Sequence, residues 1–158
     1  MLSDELKNTI QGAYTRFLDK KGLKARYGQR LMIAEVAKVL GNIAVDEEGK
    51  RSGEPAVVAI EAGTGTGKTV AYSLAAIPAA RAAGKRLVIA TATVALQEQI
   101  VDKDLPDIIK NSGLHFTYAL AKGRGRYLCL SKLDALSQYG EAEQATAQMF
   151  ADDGYHID

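Results

Sequence analysis

The stretch A-G-T-G-T-G-K-T, Ala62 to Thr69, decides how this chain is read. It follows an apolar run, Ala56 to Glu61 (AVVAIE), and precedes a segment with Val70, Ala71, Leu74, Ala75 and Ile77 at apolar positions. Strand, glycine-rich turn and helix is the order that curls backbone N–H groups around a polyphosphate and sets a helix N-terminus behind it. Gly63, Gly65 and Gly67 keep Cβ atoms away from the anion and admit the backbone angles such a concavity needs. Thr64 and Thr66 separate them. Lys68 brings a point charge to the β and γ oxygens of a nucleotide, and Thr69 brings a hydroxyl to Mg²⁺. These two are the candidate catalytic residues. The pattern usually opens on glycine, and Ala62 stands there instead. The competing reading is a glycine-rich turn with a solvated lysine, which the strand before it and the apolar helix after it argue against.

Outward from this loop, the pattern predicts elements on both sides. Leu6, Ile10, Ala13, Phe17 and Leu18 recur at helical spacing, with Ser3 as cap, Asp4 and Glu5 in the first turn, and Lys20, Lys21 and Gly22 at the end. A second helix is expected from about Gly28 to Leu40, with Gly41 as its stop. Asp46 to Pro55 reads as a polar loop. After the phosphate loop, the helix should run to Gly84 with a kink at Pro78. Arg86 to Ala92 reads as a second buried strand. Thr93 then opens a helix, Leu105 to Lys110 forms a short one ended by Gly113, and His115 to Ala119 reads as a third strand. Two helices broken near Gly140 are expected between Ser131 and Ala151. Strands alternating with helices imply a parallel sheet covered on both faces.

The totals set bounds. A length of 158 residues suits one domain or part of a larger one, and 47% hydrophobic content is enough for a core. The net charge of +1 points to no partner, so any basic surface must be local. A single cysteine rules out an internal disulfide and agrees with a reducing compartment. The N-terminus is amphipathic and of mixed charge, and no apolar stretch reaches membrane-spanning length. A cytoplasmic protein is expected, with no membrane partner. Composition says nothing of its oligomeric state.

Three further segments carry a family resemblance. They are RYGQRLMIAEVAKVL (Arg26 to Leu40), ATATVALQEQIVDKDLP (Ala90 to Pro106) and KGRGRYLC (Lys122 to Cys129). With the phosphate loop, they resemble the N-terminal part of DinG-type DNA helicases, the bacterial relatives of XPD within helicase superfamily 2. The resemblance implies an α/β, RecA-like P-loop domain with a mainly parallel sheet flanked by helices, incomplete as part of motor domain 1. It also explains Ala62, because phosphate loops in that superfamily often begin with alanine. It implies ATP and Mg²⁺ as ligands, single-stranded DNA as partner, and 5′ to 3′ translocation by the parent protein.

The resemblance also assigns residues. Arg26 and Gln29 match the adenine-side element, where a glutamine amide pairs a donor and an acceptor with the base edge. On composition alone Gln29 is a surface residue at a helix start. Thr91, Thr93 and Gln97 match the motif that touches the nucleic-acid backbone, as uncharged hydrogen-bonders near a helix N-terminus. Capping by Thr93 is the plain alternative. Arg124 and Arg126 form a basic loop with Tyr127, suited to single strands, or equally a solvated charged turn. Cys129 matches the first of four cysteines that ligate a 4Fe–4S cluster in the parent. Alone it reads as a free thiol.

Expected organisation follows: residues 1–43 as N-terminal helices with the adenine-side element, 44–55 as a linker loop, 56–128 as the P-loop core, and 129–158 as the start of the cluster region. Neither a DEAH-type acidic motif nor a second-lobe arginine finger is present in the sequence. Asp152 and Asp153 follow a helical-looking run and do not serve. One cysteine cannot hold four irons. The expectation is therefore an N-terminal, nucleotide-binding piece of a helicase, inactive alone. A degenerate P-loop regulatory module stays open. A P-loop small-molecule kinase is disfavoured, because ATATVALQEQI carries no charge before Glu98.

Overall fold

The computed structural model describes residues 2–137. The expectations for residues 138–158, including the break near Gly140, lie outside the described residues. The chain divides into two units, Met1–Leu120 and Ala121–Asp158.

In the first unit, α1 (Asp4–Lys21) begins and ends where its caps require. The Ser3 hydroxyl accepts the Leu6 N–H at 3.2 Å, Asp4 and Glu5 occupy the first turn, and Gly22 takes a left-handed φ of 61°. Leu23 N–H then reaches back to the Leu18 carbonyl at 2.9 Å, satisfying a carbonyl that the helix leaves open. Ile10, Ala13, Tyr14, Phe17 and Leu18 form its buried stripe. Helix α2 (Tyr27–Gly41) buries Met32, Ile33 and Ala37. A short antiparallel hairpin follows, β1 (Ala44–Val45) with β2 (Arg51–Ser52), its turn closed by Asp46 Oδ1 accepting the N–H groups of Glu48 and Lys50.

Helix α3 (Lys68–Ala82) is central. Ala71, Ser73, Leu74, Ala75, Ala76, Ile77 and Pro78 are all buried, so it lacks a polar stripe and packs against α1, α2 and α5. Pro78 lies inside it, as expected, and denies the Leu74 carbonyl its usual donor. Helix α4 (Val94–Glu98) is capped by Thr93 and passes through a π turn (Gln99–Asp104) into α5 (Leu105–Ser112), which ends at Gly113 with φ 74°. Ile100, Leu105 and Ile108 are buried along this stretch. Ile100 and Leu105 are five apart, a spacing that a regular α-helix does not place on one face and a π turn does.

Three cations of α1 tie down α5, two at its C-terminal end and one at its first turn. Arg16 Nε donates to the Ser112 carbonyl at 2.8 Å, Lys20 to the Lys110 carbonyl at 3.3 Å, and Lys21 pairs with Asp107 at 2.8 Å. Positive charge at a helix C-terminus is favourable on dipole grounds.

The sheet differs from expectation. Among the described residues the only ladder is β1–β2. Segments 56–61, 86–92 and 115–119 carry no strand pairing, and no parallel sheet forms between them. Apolar residues that the sequence suggested were covered on both faces are open, with Val57 80% and Val88 84% exposed. An apolar run favours extended backbone, but pairing depends on neighbours that the run does not encode. Side-chain contacts hold these segments instead: Ile89 and Phe116 pack on the core, and Arg81 donates to the His115 carbonyl.

In the second unit, Arg124–Arg126 form a single 3₁₀ turn, and residues 130–137 are helical. No helix among the described residues is long and apolar enough to cross a membrane.

Candidate nucleotide-binding site

The phosphate loop is not helix. Helix α3 starts only at Lys68, with Gly67 as a left-handed cap (φ 75°, ψ 37°) and no side chain capping it. Gly65 shares the positive φ of 75°. Ala71 N–H bonds the Gly67 carbonyl at 3.0 Å, so the N–H groups of Lys68, Thr69 and Val70 precede the first intrahelical bond. The Lys68 ammonium lies across the loop, donating to the carbonyls of Ala62 at 2.7 Å and Gly63 at 2.8 Å. Two of its three protons are so directed. Thr66 Oγ1 also donates to the Gly63 carbonyl, at 2.8 Å. Thr64 is exposed.

The two residues that the resemblance assigns to the adenine side come to this loop. Arg26 caps α2, and its Nη1 donates to the Gly65 carbonyl at 3.2 Å. Gln29, in the first turn of α2, sets its amide so close to Gly67 that a Cβ there would collide with Nε2. Its Oε1 accepts from the Tyr14 hydroxyl at 3.1 Å, and that same hydroxyl oxygen accepts the Arg26 backbone N–H at 3.4 Å. The packing of α2 on α3 thus joins residues some forty apart in sequence.

Thr69 leads to a residue the sequence reading missed. That residue is Tyr72, one turn along α3, whose phenol feels the Thr69 hydroxyl. Burial pushes the Tyr72 phenol above its ordinary range, the Thr69 hydroxyl pulls it back, and the Asp104 carboxylate at the end of the π turn raises it further. Tyr14 was missed as well. Its only sequence signal was an aromatic on the apolar face of α1.

Of the nucleic-acid candidates, Thr93 caps α4, its Oγ1 accepting the Leu96 N–H at 3.3 Å. Thr91 Oγ1 donates to the Thr93 carbonyl at 3.2 Å. Gln97, one turn on, is half-buried. Both threonine side chains therefore serve the local backbone while lying at the start of α4. In the second unit, the 3₁₀ turn sets Arg124 and Arg126 outward, and both are exposed. The turn is held by Tyr127, whose hydroxyl accepts the Lys122 N–H at 2.9 Å. Cys129 is an exposed thiol. Among the described residues, no group of three His, Cys, Asp or Glu side chains is placed to hold a metal ion.

Comparison with known proteins places the sequence among helicases. The DEAD/DEAH box helicase family matches residues 37–140. The ATP-dependent DNA helicase DinG of Salmonella typhimurium is 46% identical over 154 residues, covering 96% of this chain and 20% of that protein. The Escherichia coli protein of the same name is 44% identical over 128 residues, 81% of this chain and 16% of its own. That of Photobacterium profundum is 38% identical over 147 residues, 92% of this chain and 20% of its own. The chain spans at most a fifth of the length of these relatives. By the extent of the family match, the chain belongs to the DEAD/DEAH box helicases.

Proposed function

We propose that this chain is the nucleotide-binding part of an ATP-dependent DNA helicase that moves 5′ to 3′ along single-stranded DNA in the cytoplasm. One observation carries the reading: Lys68 bridges the loop while Arg26 and Gln29 brace it from the opposite helix. The β and γ phosphates of ATP fit the N–H groups at the start of α3, where the helix dipole favours negative charge. Lys68 turns a proton to the γ oxygens, Thr69 offers its hydroxyl to Mg²⁺, and Gln29 meets the adenine edge. The RecA-like α/β fold of the family, with its parallel sheet, is the frame into which segments 56–61, 86–92 and 115–119 would be drawn.

Thr91, Thr93 and Gln97 are assigned to the DNA backbone, and Arg124 and Arg126 separately to single-stranded DNA. Such contacts bind without reading sequence. The iron–sulfur cluster does not fit this chain by itself, since its single cysteine provides one of the four thiolates required. Cys129 is proposed as a ligand in the full-length protein only. Without an acidic Mg²⁺ motif in its sequence, the 158-residue chain should bind ATP but not turn it over.

Titration with a fluorescent ATP analogue, with and without Mg²⁺, tests the assignment. Binding should need Mg²⁺ for full strength and fall at least tenfold in Lys68→Ala, by loss of a charge-assisted contact. Equal binding by the variant removes the site. Hydrolysis stimulated by DNA in the 158-residue chain would show that its chemistry is more complete than proposed.

A further inference from the structure

We infer that Tyr14 is a positioning residue of the nucleotide site, fixing which way the Gln29 amide faces and thereby what Gln29 offers a purine base. This rests on the nucleotide-site reading above and deepens it. The argument is one of proton inventory. A phenol has one proton to give and lone pairs to receive. The Tyr14 oxygen receives the Arg26 backbone N–H at 3.4 Å and lies 3.1 Å from Gln29 Oε1. A carbonyl oxygen has no proton, so the phenol donates to it.

Turning the Gln29 amide over would bring Nε2 to the Tyr14 oxygen. That oxygen would then face two donors while its own proton lost its acceptor, in a side chain only 8% exposed. An unmatched donor at that depth is costly. The network therefore sets the orientation, as it must for any amide. Oε1 faces α1, and Nε2 faces Gly67 and the loop, where close packing leaves little room to swing.

The orientation bears on base choice. Adenine shows one donor, N6–H, and one acceptor, N7, on the edge in question, whereas guanine shows two acceptors, O6 and N7. An amide held in fixed order matches adenine, with the Oε1 lone pair that Tyr14 does not use as acceptor and Nε2 as donor. It sets Oε1 against guanine O6. A released glutamine is free to turn its NH₂ group toward guanine. Tyr14, on a separate helix, thus contributes to the preference for ATP over GTP through Gln29.

The test is Tyr14→Phe, which removes only the hydroxyl, in the otherwise intact chain. In the free protein, the side-chain NH₂ resonances of Gln29 should shift toward those of a freely solvated glutamine as the amide is released. The ATP-over-GTP binding ratio should narrow about five-fold, one hydrogen bond's worth. In a Gln29→Ala background, Tyr14→Phe should change neither affinity. Unchanged Gln29 resonances would overturn the proposal, as would an equal loss of ATP and GTP affinity in both backgrounds. Gln29→Glu is a second variant that keeps an acceptor toward Tyr14 and removes the donors toward the loop. It should fold and lose the adenine preference, and a retained preference would also overturn the proposal. A wild-type chain that binds neither nucleotide refutes the site itself, while the Gln29 resonances still decide what Tyr14 does.

Discussion

Alanine substitution at the three loop glycines should produce three different penalties, because the glycines meet three different constraints. Gly63 has neither a left-handed φ nor any neighbour within 4 Å of the place a methyl group would take, so Gly63→Ala should leave stability within about 0.5 kcal/mol. Gly65 has φ +75° with open space around it. Gly65→Ala should cost only the left-handed strain, about 1–2 kcal/mol. Gly67 has the same φ, but its new Cβ would also run into the Gln29 amide. Displacing Gln29 breaks its bond to Tyr14, adding about 1 kcal/mol to the strain, for roughly 2–3 kcal/mol in all. Urea unfolding followed by far-ultraviolet circular dichroism measures each loss, with tyrosine fluorescence as second probe because the chain has seven tyrosines and no tryptophan. Equal losses for Gly65→Ala and Gly67→Ala would show that Gln29 does not press on the loop. A loss at Gly63 matching that at Gly65 would refute the argument from backbone angle.

Other substitutions probe the support beneath the loop. Leu74 is fully buried at the centre of α3, and Leu74→Ala should cost about 2–5 kcal/mol in the same unfolding assay. Ser73 is equally buried, and its hydroxyl has no hydrogen-bond partner among the described residues, so Ser73→Ala should be neutral or stabilising by up to about 1 kcal/mol. The Tyr72 phenol is raised above its ordinary 10.0 in the folded chain, which favours its protonated form there. That contribution is complete below pH 10 and is lost as pH climbs through the raised value. Tyr72→Phe should therefore flatten the alkaline side of the stability profile relative to wild type, read by urea midpoints between about pH 8 and 11.

The helices were legible because their signals are local. Ser3, Gly22, Thr93 and Gly113 each mark a boundary by chemistry within one turn of it, and the structure uses all four. The glycine turn before α3 was legible for the same reason, since Gly65 and Gly67 state a backbone conformation directly. The strands were not. Val57 and Val88 advertise extended, apolar backbone, but a ladder needs a partner segment brought alongside, and no residue in either run names one. Tyr14 escaped notice because an aromatic on an apolar stripe looks like core. Its hydroxyl acquires a role only once α1 and α2, both packed on α3, bring Tyr14 within reach of Gln29 and Arg26. The hairpin at Ala44–Ser52 was hidden by a polar, glycine-containing composition that reads as loop.

The π turn at Gln99–Asp104 lets that segment hold one residue more than a regular helix joining the same two faces would. It works as slack between α4 and α5. Excising one residue from it would restore an ordinary α-helical register, and the five-residue step from Ile100 to Leu105 would become a four-residue step on the same face. Thr93 and Gln97 would then keep nearly the azimuth they now hold relative to α5. A one-residue gap here should therefore be far less damaging than one inside α5, which would rotate everything upstream by about 100°.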